Sequence, residues 1–318
     1  MQTTSGPVHP GWPARLHVVT GKGGTGKTTV AAALALALAA GGHRTLLVEV
    51  EGRQGIAQLF GTDPLPYQER RIAETGDGGQ VLALAVDPEQ ALLEYLDRFY
   101  KLGAAGRVLR RLGAIDFATT IAPGMRDVLL TGKIKEATTR TEAGRRVYRA
   151  VVLDAPPAGR IGRFLNVTAE TARLAKVGPI KTQSEGVAAL LRSPMTQVHL
   201  VTLLEEMPVQ ETVDTLAELG ELRLPIGRII VNAAQPPLLA AGPTRSALRA
   251  GLAAAGLPAG REVVAGLHAE AREHLAREQR QARLREELAE LGHPIVELPL
   301  LAGGADRAGL GTLAAALG

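Results

Sequence analysis

Residues Leu16 to Thr29 read Leu-His-Val-Val-Thr-Gly-Lys-Gly-Gly-Thr-Gly-Lys-Thr-Thr. Leu16 to Val19 form an apolar run of the length of a short buried strand, and Gly21 to Thr28 complete a phosphate-binding loop. Gly21, Gly23, Gly24 and Gly26 let the backbone curl until several N–H groups converge, and a helix starting near Lys27 adds the positive end of its dipole. Val30 to Ala40 are rich in Ala and Leu, contain neither Gly nor Pro, and stop at Gly41-Gly42 as a capped helix does. Strand, loop and helix therefore follow in the order a nucleotide site requires. Gly21, Lys22, Gly23, Gly24, Thr25 and Gly26 are the expected cradle. Lys27 is placed to reach the β- and γ-phosphates of ATP, Thr28 to offer its hydroxyl to Mg2+, and Thr29 to bond the α-phosphate.

Further apolar, β-type runs recur at Arg44 to Val50, Gln80 to Val86, Val151 to Leu153, Gln197 to Leu203, Gly227 to Val231 and Pro294 to Leu298, mostly separated by segments of helical length. Continuous apolar runs of this kind belong to parallel strands buried on both faces. The expected fold is α/β, a doubly wound, mostly parallel sheet covered by helices on both sides. Residues 1–13 are rich in Thr, Ser, Gly and Pro without periodicity and read as a disordered tail, leaving 14–318 as the nucleotide-binding domain. Two long helical gaps, about 88–149 and 161–195, predict an inserted helical subdomain, the first marked by Leu92, Leu93, Leu96, Phe99 and Tyr100 at helical spacing. Glu262 to Leu291 reads as a charged cover helix with too few clean heptads for a coiled coil.

The chain of 318 residues is 46% hydrophobic, enough for a sizeable core, and its net charge of +4 argues only weakly for an anionic partner. Arginines between Arg98 and Arg149 alternate with Leu and Ala rather than exposed aromatics, a solvated helix face more than a nucleic-acid surface. The apolar stretch Val30 to Ala40 is too short to span a bilayer, and the N-terminus lacks the apolar core of a signal peptide, so a cytoplasmic location is expected. There is no cysteine. A thiolate-held iron–sulfur cluster, a Cys-x-x-Cys zinc site and thiolate capture of arsenite or antimonite are thereby excluded. The seven histidines are scattered and form no ligand cluster.

Nucleotide chemistry also needs an acid to orient water and a sensor of the γ-phosphate. Glu49 and Glu51, two apart at the end of the second predicted strand, share a face there. The strand Val151 to Leu153 ends in Asp154-Ala155-Pro156-Pro157-Ala158-Gly159-Arg160, which puts Asp154 where a carboxylate can contact Mg2+ through water. The prolines stiffen that loop, and Gly159 lets its backbone approach the γ-phosphate. No Asn-Lys-x-Asp tetrapeptide for guanine is present, which favours ATP; Asn232, ending the run from Ile229, can bond the edge of adenine or make an ordinary turn.

The pattern Lys22-Gly23-Gly24-x-Gly26-Lys27-Thr28 resembles the deviant Walker A loop of the family that includes MinD, ParA and the nitrogenase iron protein. Within it, the ArsA-type and tail-anchored-protein-targeting ATPases are the most similar branch over Arg15 to Leu301. Asp154 to Arg160 resemble that branch's switch II, with Arg160 where histidine is frequent. Glu51, Ile56 and Phe60 fall at the positions of its switch I, with Glu51 in place of the catalytic aspartate and Gly52-Arg53 in place of Pro-Ala. The resemblance implies that Glu51 positions the attacking water, with Glu49 the alternative, and that the looser turn slows hydrolysis. It places Asn232, Pro299 and Leu300 near the adenine. It further implies a homodimer, or a heterodimer with a related ATPase, in which Lys22 crosses to the partner's nucleotide while the helical subdomain engages a protein client. Two alternatives stand beside it: a MinD- or ParA-like positioning ATPase, weakened by the absence of Lys and Arg from Gly309 to Gly318, and a low-turnover ATP-binding subunit for regulation or transport.

Overall fold

The computed structural model describes residues 11–100, 123–166, 179–239 and 242–318. In chain order the strands are β1 (Leu16–Gly21), β2 (Arg44–Glu49), β3 (Arg70–Glu74), β4 (Gln80–Ala85), β5 (Thr141–Glu142), β6 (Arg145–Arg146), β7 (Ala150–Asp154), β8 (Thr196–Thr202), β9 (Ile226–Ala234) and β10 (Ile295–Pro299). The described helices are α1 (Lys27–Ala39), α2 (Gly55–Phe60), α3 (Pro88–Tyr100), α4 (Pro123–Thr139), α5 (Ala158–Leu165), α6 (Pro179–Leu191), α7 (Glu206–Glu221), α8 (Arg245–Ala254), α9 (Arg261–Glu290) and α10 (Arg307–Leu317).

Eight strands form one sheet in the order β10-β9-β8-β1-β7-β2-β4-β3. Every pairing in it is parallel except β3 with β4. β1 lies at the centre between β7 and β8, so the loop that follows it emerges in the middle of the carboxyl edge, where ligands sit in open α/β sheets. Successive side chains along the strands feed two separate cores. Leu16, Val18, Leu46, Val48, Val151 and Leu153 face the layer of α3, α4, α5, α6 and α7. Val19, Leu47, Val152 and Val201 face α1, α2 and α10. This period of two explains why both faces of each central strand are apolar. α1 is wrapped by its neighbours, with nine of its residues buried, and therefore has no polar stripe.

The sheet and its parallel character agree with the sequence expectation, while several details differ. β3 was not anticipated, because Arg70, Arg71 and Glu74 on an antiparallel edge strand carry no apolar run. The stretch read as continuous helix up to Arg149 contains the β5–β6 hairpin, turned by Ala143 and Gly144, both at positive φ. α3, α4 and α6 lie within the proposed helical insert, and its remaining parts, 101–122 and 167–178, lie outside the described residues. α9 buries only Val264 and Leu288, and α8 buries none, so the charged C-terminal helix covers little of the core. Among the described residues no helix is long and apolar enough to cross a membrane.

The tail reading extends too far at its inner end, since Trp12 is 1% exposed and its Nε1–H donates to the Leu317 carbonyl at 2.7 Å, tying the N-terminal segment to the end of α10. The Arg228 guanidinium lies 4.8 Å from the Trp12 ring and donates to the Gly11 carbonyl. Beneath the indole, His17 of β1 and His199 of β8 are fully buried with their ring nitrogens 3.0 Å apart. Their partners fix both tautomers. The Arg228 backbone N–H donates to His199 Nδ1, so His199 donates from Nε2 to His17 Nδ1, and His17 donates from Nε2 to the Ala14 carbonyl. Burial holds His17 down to about 4 against the opposing Ala14 hydrogen bond, and burial holds His199 well below the ordinary histidine value.

Candidate functional site

The loop from β1 to α1 is shaped by glycines, two of them where a side chain does not fit. Gly21 has φ of 147°, and a Cβ there would lie 2.1 Å from the Val201 carbonyl of β8. Gly26 has φ of 85°, and a Cβ would meet Asn232 Nδ2 at 2.3 Å. Between them Thr25 is buried and donates its hydroxyl to the Lys22 carbonyl at 2.9 Å. Gly23 and Gly24 face open space on the outer side. Such a concavity of donors at a helix start suits a multiply charged phosphate.

Lys27 folds back over the loop, its Nζ donating to the Lys22 carbonyl at 3.2 Å. Burial lowers its pKa, with Asp154 and Glu51 opposing. Among the described residues no carboxylate lies within ion-pair distance of it, so the loop offers a positive charge without a matching anion. Thr28 Oγ1 donates to Asp154 Oδ2 at 2.7 Å, joining the start of α1 to the end of β7. This pairing of an alcohol with a carboxylate matches the hard oxygen ligands that Mg2+ takes. Burial pushes Asp154 up to about 6, opposed by the Thr28 hydroxyl and reinforced by Glu49. Thr29 is half-buried in the first turn of α1.

The two glutamates diverge instead of sharing a face, because β2 ends at Glu49 and Glu51 stands beyond it in a bend. The Glu49 carboxylate is buried and accepts from the Gln54 N–H at 2.5 Å and the Ile56 N–H at 3.3 Å, capping α2. The Glu51 carboxylate is free of that task. It pairs with Arg160 Nη1 at 3.0 Å and with Arg53 Nε at 3.6 Å, on the wall of a 190 Å³ cleft that also includes Pro156 and Arg126. Arg160 belongs to the first turn of α5, so this ion pair links the segment after β2 to the segment after β7. Pro156 accepts from the Thr20 hydroxyl at 2.7 Å, pinning the same loop to β1. Gly159 is exposed with open space before it.

Asn232 lies within β9 rather than at a strand end, and its amide donates to the Thr25 carbonyl at 2.9 Å. One of its two amide hydrogens is thus engaged with the loop's backbone. Pro299 ends β10 beside Ala234, the Leu300 N–H donates to the Ala234 carbonyl, and both residues are exposed at the same edge of the sheet. Lys22 Nζ lies 3.5 Å from Glu211 Oε2 of α7 in the same chain. The Arg160 and Glu211 partners were not recognised from sequence. Each contact joins residues more than a hundred positions apart, with no local signal at either end.

The MinD-like variant of the sequence reading requires a free amphipathic C-terminal helix. α10 instead buries Leu310, Leu313 and Leu317 in the core shared with α1.

The family model for anion-transporting ATPases matches residues 14–195. Over 330 aligned residues, the sequence is 54% identical to ATPase BagA of Mycobacterium tuberculosis, covering 99% of this chain and 97% of that protein. It is 24% identical to ATPase GET3B of Arabidopsis thaliana, covering 70% of this chain and 65% of the relative. A putative arsenical pump-driving ATPase of Aquifex aeolicus is 28% identical, covering 46% of each.

Proposed function

The chain belongs to the anion-transporting ATPase family and is an ATPase, and from that premise we propose that its working unit is a Mg2+-dependent pair of chains. The observation that carries the Mg2+–nucleotide part of this reading is the triad of Lys27, Thr28 and Asp154, an unmatched ammonium beside a hydroxyl–carboxylate pair at the head of α1, and the pairing rests on Lys22 in the phosphate loop. Lys27 and the N–H groups from Gly23 to Thr28 hold the phosphates, and Thr29 bonds the α-phosphate. Thr28, with Asp154 behind a water, would hold Mg2+. Bound Mg2+ supplies charge neutralisation at the β- and γ-phosphate oxygens.

Glu51 orients the attacking water and accepts its proton, since Glu49 is committed to α2. To do so Glu51 exchanges its Arg160 partner for water, which couples the loop after β7, with Pro156 and Gly159, to the chemical step. Asn232 braces the phosphate loop, and the exposed Pro299 and Leu300 lie on the side open to the base. Lys22 leaves Glu211 and acts on the nucleotide of a second, identical or related, chain. Nucleotide state then opens and closes the pair, and the helical layer of α3, α4 and α6 passes that change to a protein partner.

The absence of cysteine rules out thiolate binding of metalloids, so transport or targeting here is not arsenical chemistry of that kind. The ion pairs on Glu51 favour one second reading, a slow ATP-binding regulator. Steady-state turnover with Mg2+ and with chelator separates the two.

The decisive experiment mixes Lys22→Ala and Glu51→Gln chains. Each alone is expected to lose most turnover, on the order of 10²-fold, because a transition-state charge contact or a proton acceptor is missing. Mixed, they regenerate one competent site, since the intact Lys22 of the Glu51→Gln chain faces the nucleotide held by the other. If heterodimers are shown to form and turnover stays at the single-variant floor, the paired mechanism is wrong.

A further inference from the structure

Away from the phosphate loop, α3, α4 and α6 surround a cavity of about 490 Å³, within the range of small-molecule sites. Its walls combine apolar surface from Ala91, Tyr95 and Leu129 with polar groups of α4 and α6. Two of those groups are set by reciprocal glycines. The Gln183 amide of α6 lies over Gly132 of α4, where a Cβ would come 1.9 Å from Nε2. The Lys135 ammonium of α4 lies over Gly186 of α6, where a Cβ would come 2.1 Å from Nζ. Each helix gives up a side chain so that the other can lay a polar one across it.

Both groups lack a hydrogen-bond or ion-pair partner among the described residues. Gln183 Oε1 is buried with no hydrogen bond. Lys133 is matched by Glu94 at 3.0 Å and Glu136 at 3.6 Å, and Arg140 by Glu136 and Glu69, each at 2.7 Å. Among the described residues no acceptor lies on Lys135, although it is half-buried. An unmatched cation and an orphaned acceptor at one seam cost stability unless something answers both. On one helix Gly132 and Lys135 are three residues apart, roughly 5 Å of rise, a separation one small molecule spans.

We propose that this cavity is a second ligand site, distinct from the nucleotide site, for a small organic acid. Its carboxylate pairs with Lys135, a hydroxyl or amino donor beside the carboxylate bonds Gln183 Oε1, and an apolar body lies against Tyr95, Leu129 and Ala91. The pattern selects against phosphate esters lacking an apolar part and against neutral apolar compounds.

The test uses the full chain and titration calorimetry with 3-phenyllactate as probe. 3-Phenylpropanoate, without the hydroxyl, and methyl 3-phenyllactate, without the charge, serve as controls. One saturable site is expected, with each control weaker by about tenfold. Lys135→Met should erase the preference for acid over ester and keep the preference for the hydroxyl; Gln183→Leu should do the reverse. Unchanged ATP affinity and a melting temperature no lower than that of the parent chain establish that the variants fold, and Lys135→Gln, which retains a polar stem in the Gly186 notch, replaces Lys135→Met if that chain does not. Absence of saturable binding up to about 10 mM, which would fill even a millimolar site, overturns the proposal. So does binding that the Lys135 and Gln183 substitutions leave unchanged.

Discussion

Asn232→Ala discriminates between bracing the phosphate loop and reading the base. In the structure the Asn232 amide donates to the Thr25 carbonyl at 2.9 Å, and the space above Gly26 is filled by the same amide. Truncation removes that donor and leaves a carbonyl of a buried residue without its partner. The cost of such a loss is about 1 to 2 kcal/mol. If it falls on the phosphate-binding conformation of the loop, affinity drops by a factor of roughly 5 to 30. Because the loop holds phosphate and not base, the drop should be equal for ATP, GTP and inorganic tripolyphosphate. Equilibrium binding of the three ligands to the variant, at matched Mg2+ and with a thermal melt as folding control, measures this. A selective loss of ATP, with tripolyphosphate unaffected, would refute the bracing argument and make Asn232 an adenine contact.

Lys27→Ala should weaken ATP binding by about 1.5 to 3 kcal/mol, roughly ten- to a hundredfold, and equal affinity in the variant would remove Lys27 from the phosphate site. Gly21→Ala drives a Cβ into the Val201 carbonyl at a positive φ, so it should destabilise the fold by at least about 2 kcal/mol, read as a lowered denaturant midpoint; an unchanged midpoint would contradict the close approach of β1 and β8. His17 sets a pH dependence. Its native pKa of about 4 lies below the ordinary 6.5, so the unfolded chain binds the proton first and stability falls as pH drops from 6.5 towards 4. That span is worth about 3 kcal/mol, with the neighbouring His199 and the Arg228 charge acting in the same direction. Urea midpoints at pH 7.5 and pH 5 should therefore differ, and the difference should shrink in His17→Gln/His199→Gln; an equal pH slope in that variant would show that carboxylates alone carry it.

The phosphate loop, its strand and helix, and the parallel sheet were legible in the residues alone, because each is encoded locally. Glycines at 21, 23, 24 and 26 specify the backbone of the loop, and continuous apolar runs specify strands covered on both faces. Asp154 was legible for the same reason, as a carboxylate ending an apolar run at Leu153. Polar and edge elements were not. β3 escaped because an edge strand with arginines has no period to detect, and Trp12 was assigned to the tail because its burial depends on Leu317 and Arg228, far along the chain. Strand spacing treats Glu49 and Glu51 alike, and only the assembled fold gives the two carboxylates different surroundings. β2 ends between them, so one carboxylate turns to the N–H groups of Gln54 and Ile56 and the other to Arg160. For Asn232, type and place suggest an adenine contact, and only the order of strands, which brings β9 to the loop after β1, shows that one of its amide hydrogens goes to Thr25. Local backbone preference and burial period are written in neighbouring residues. The partner of a polar side chain is set by which strands lie side by side, and that is a property of the assembled sheet.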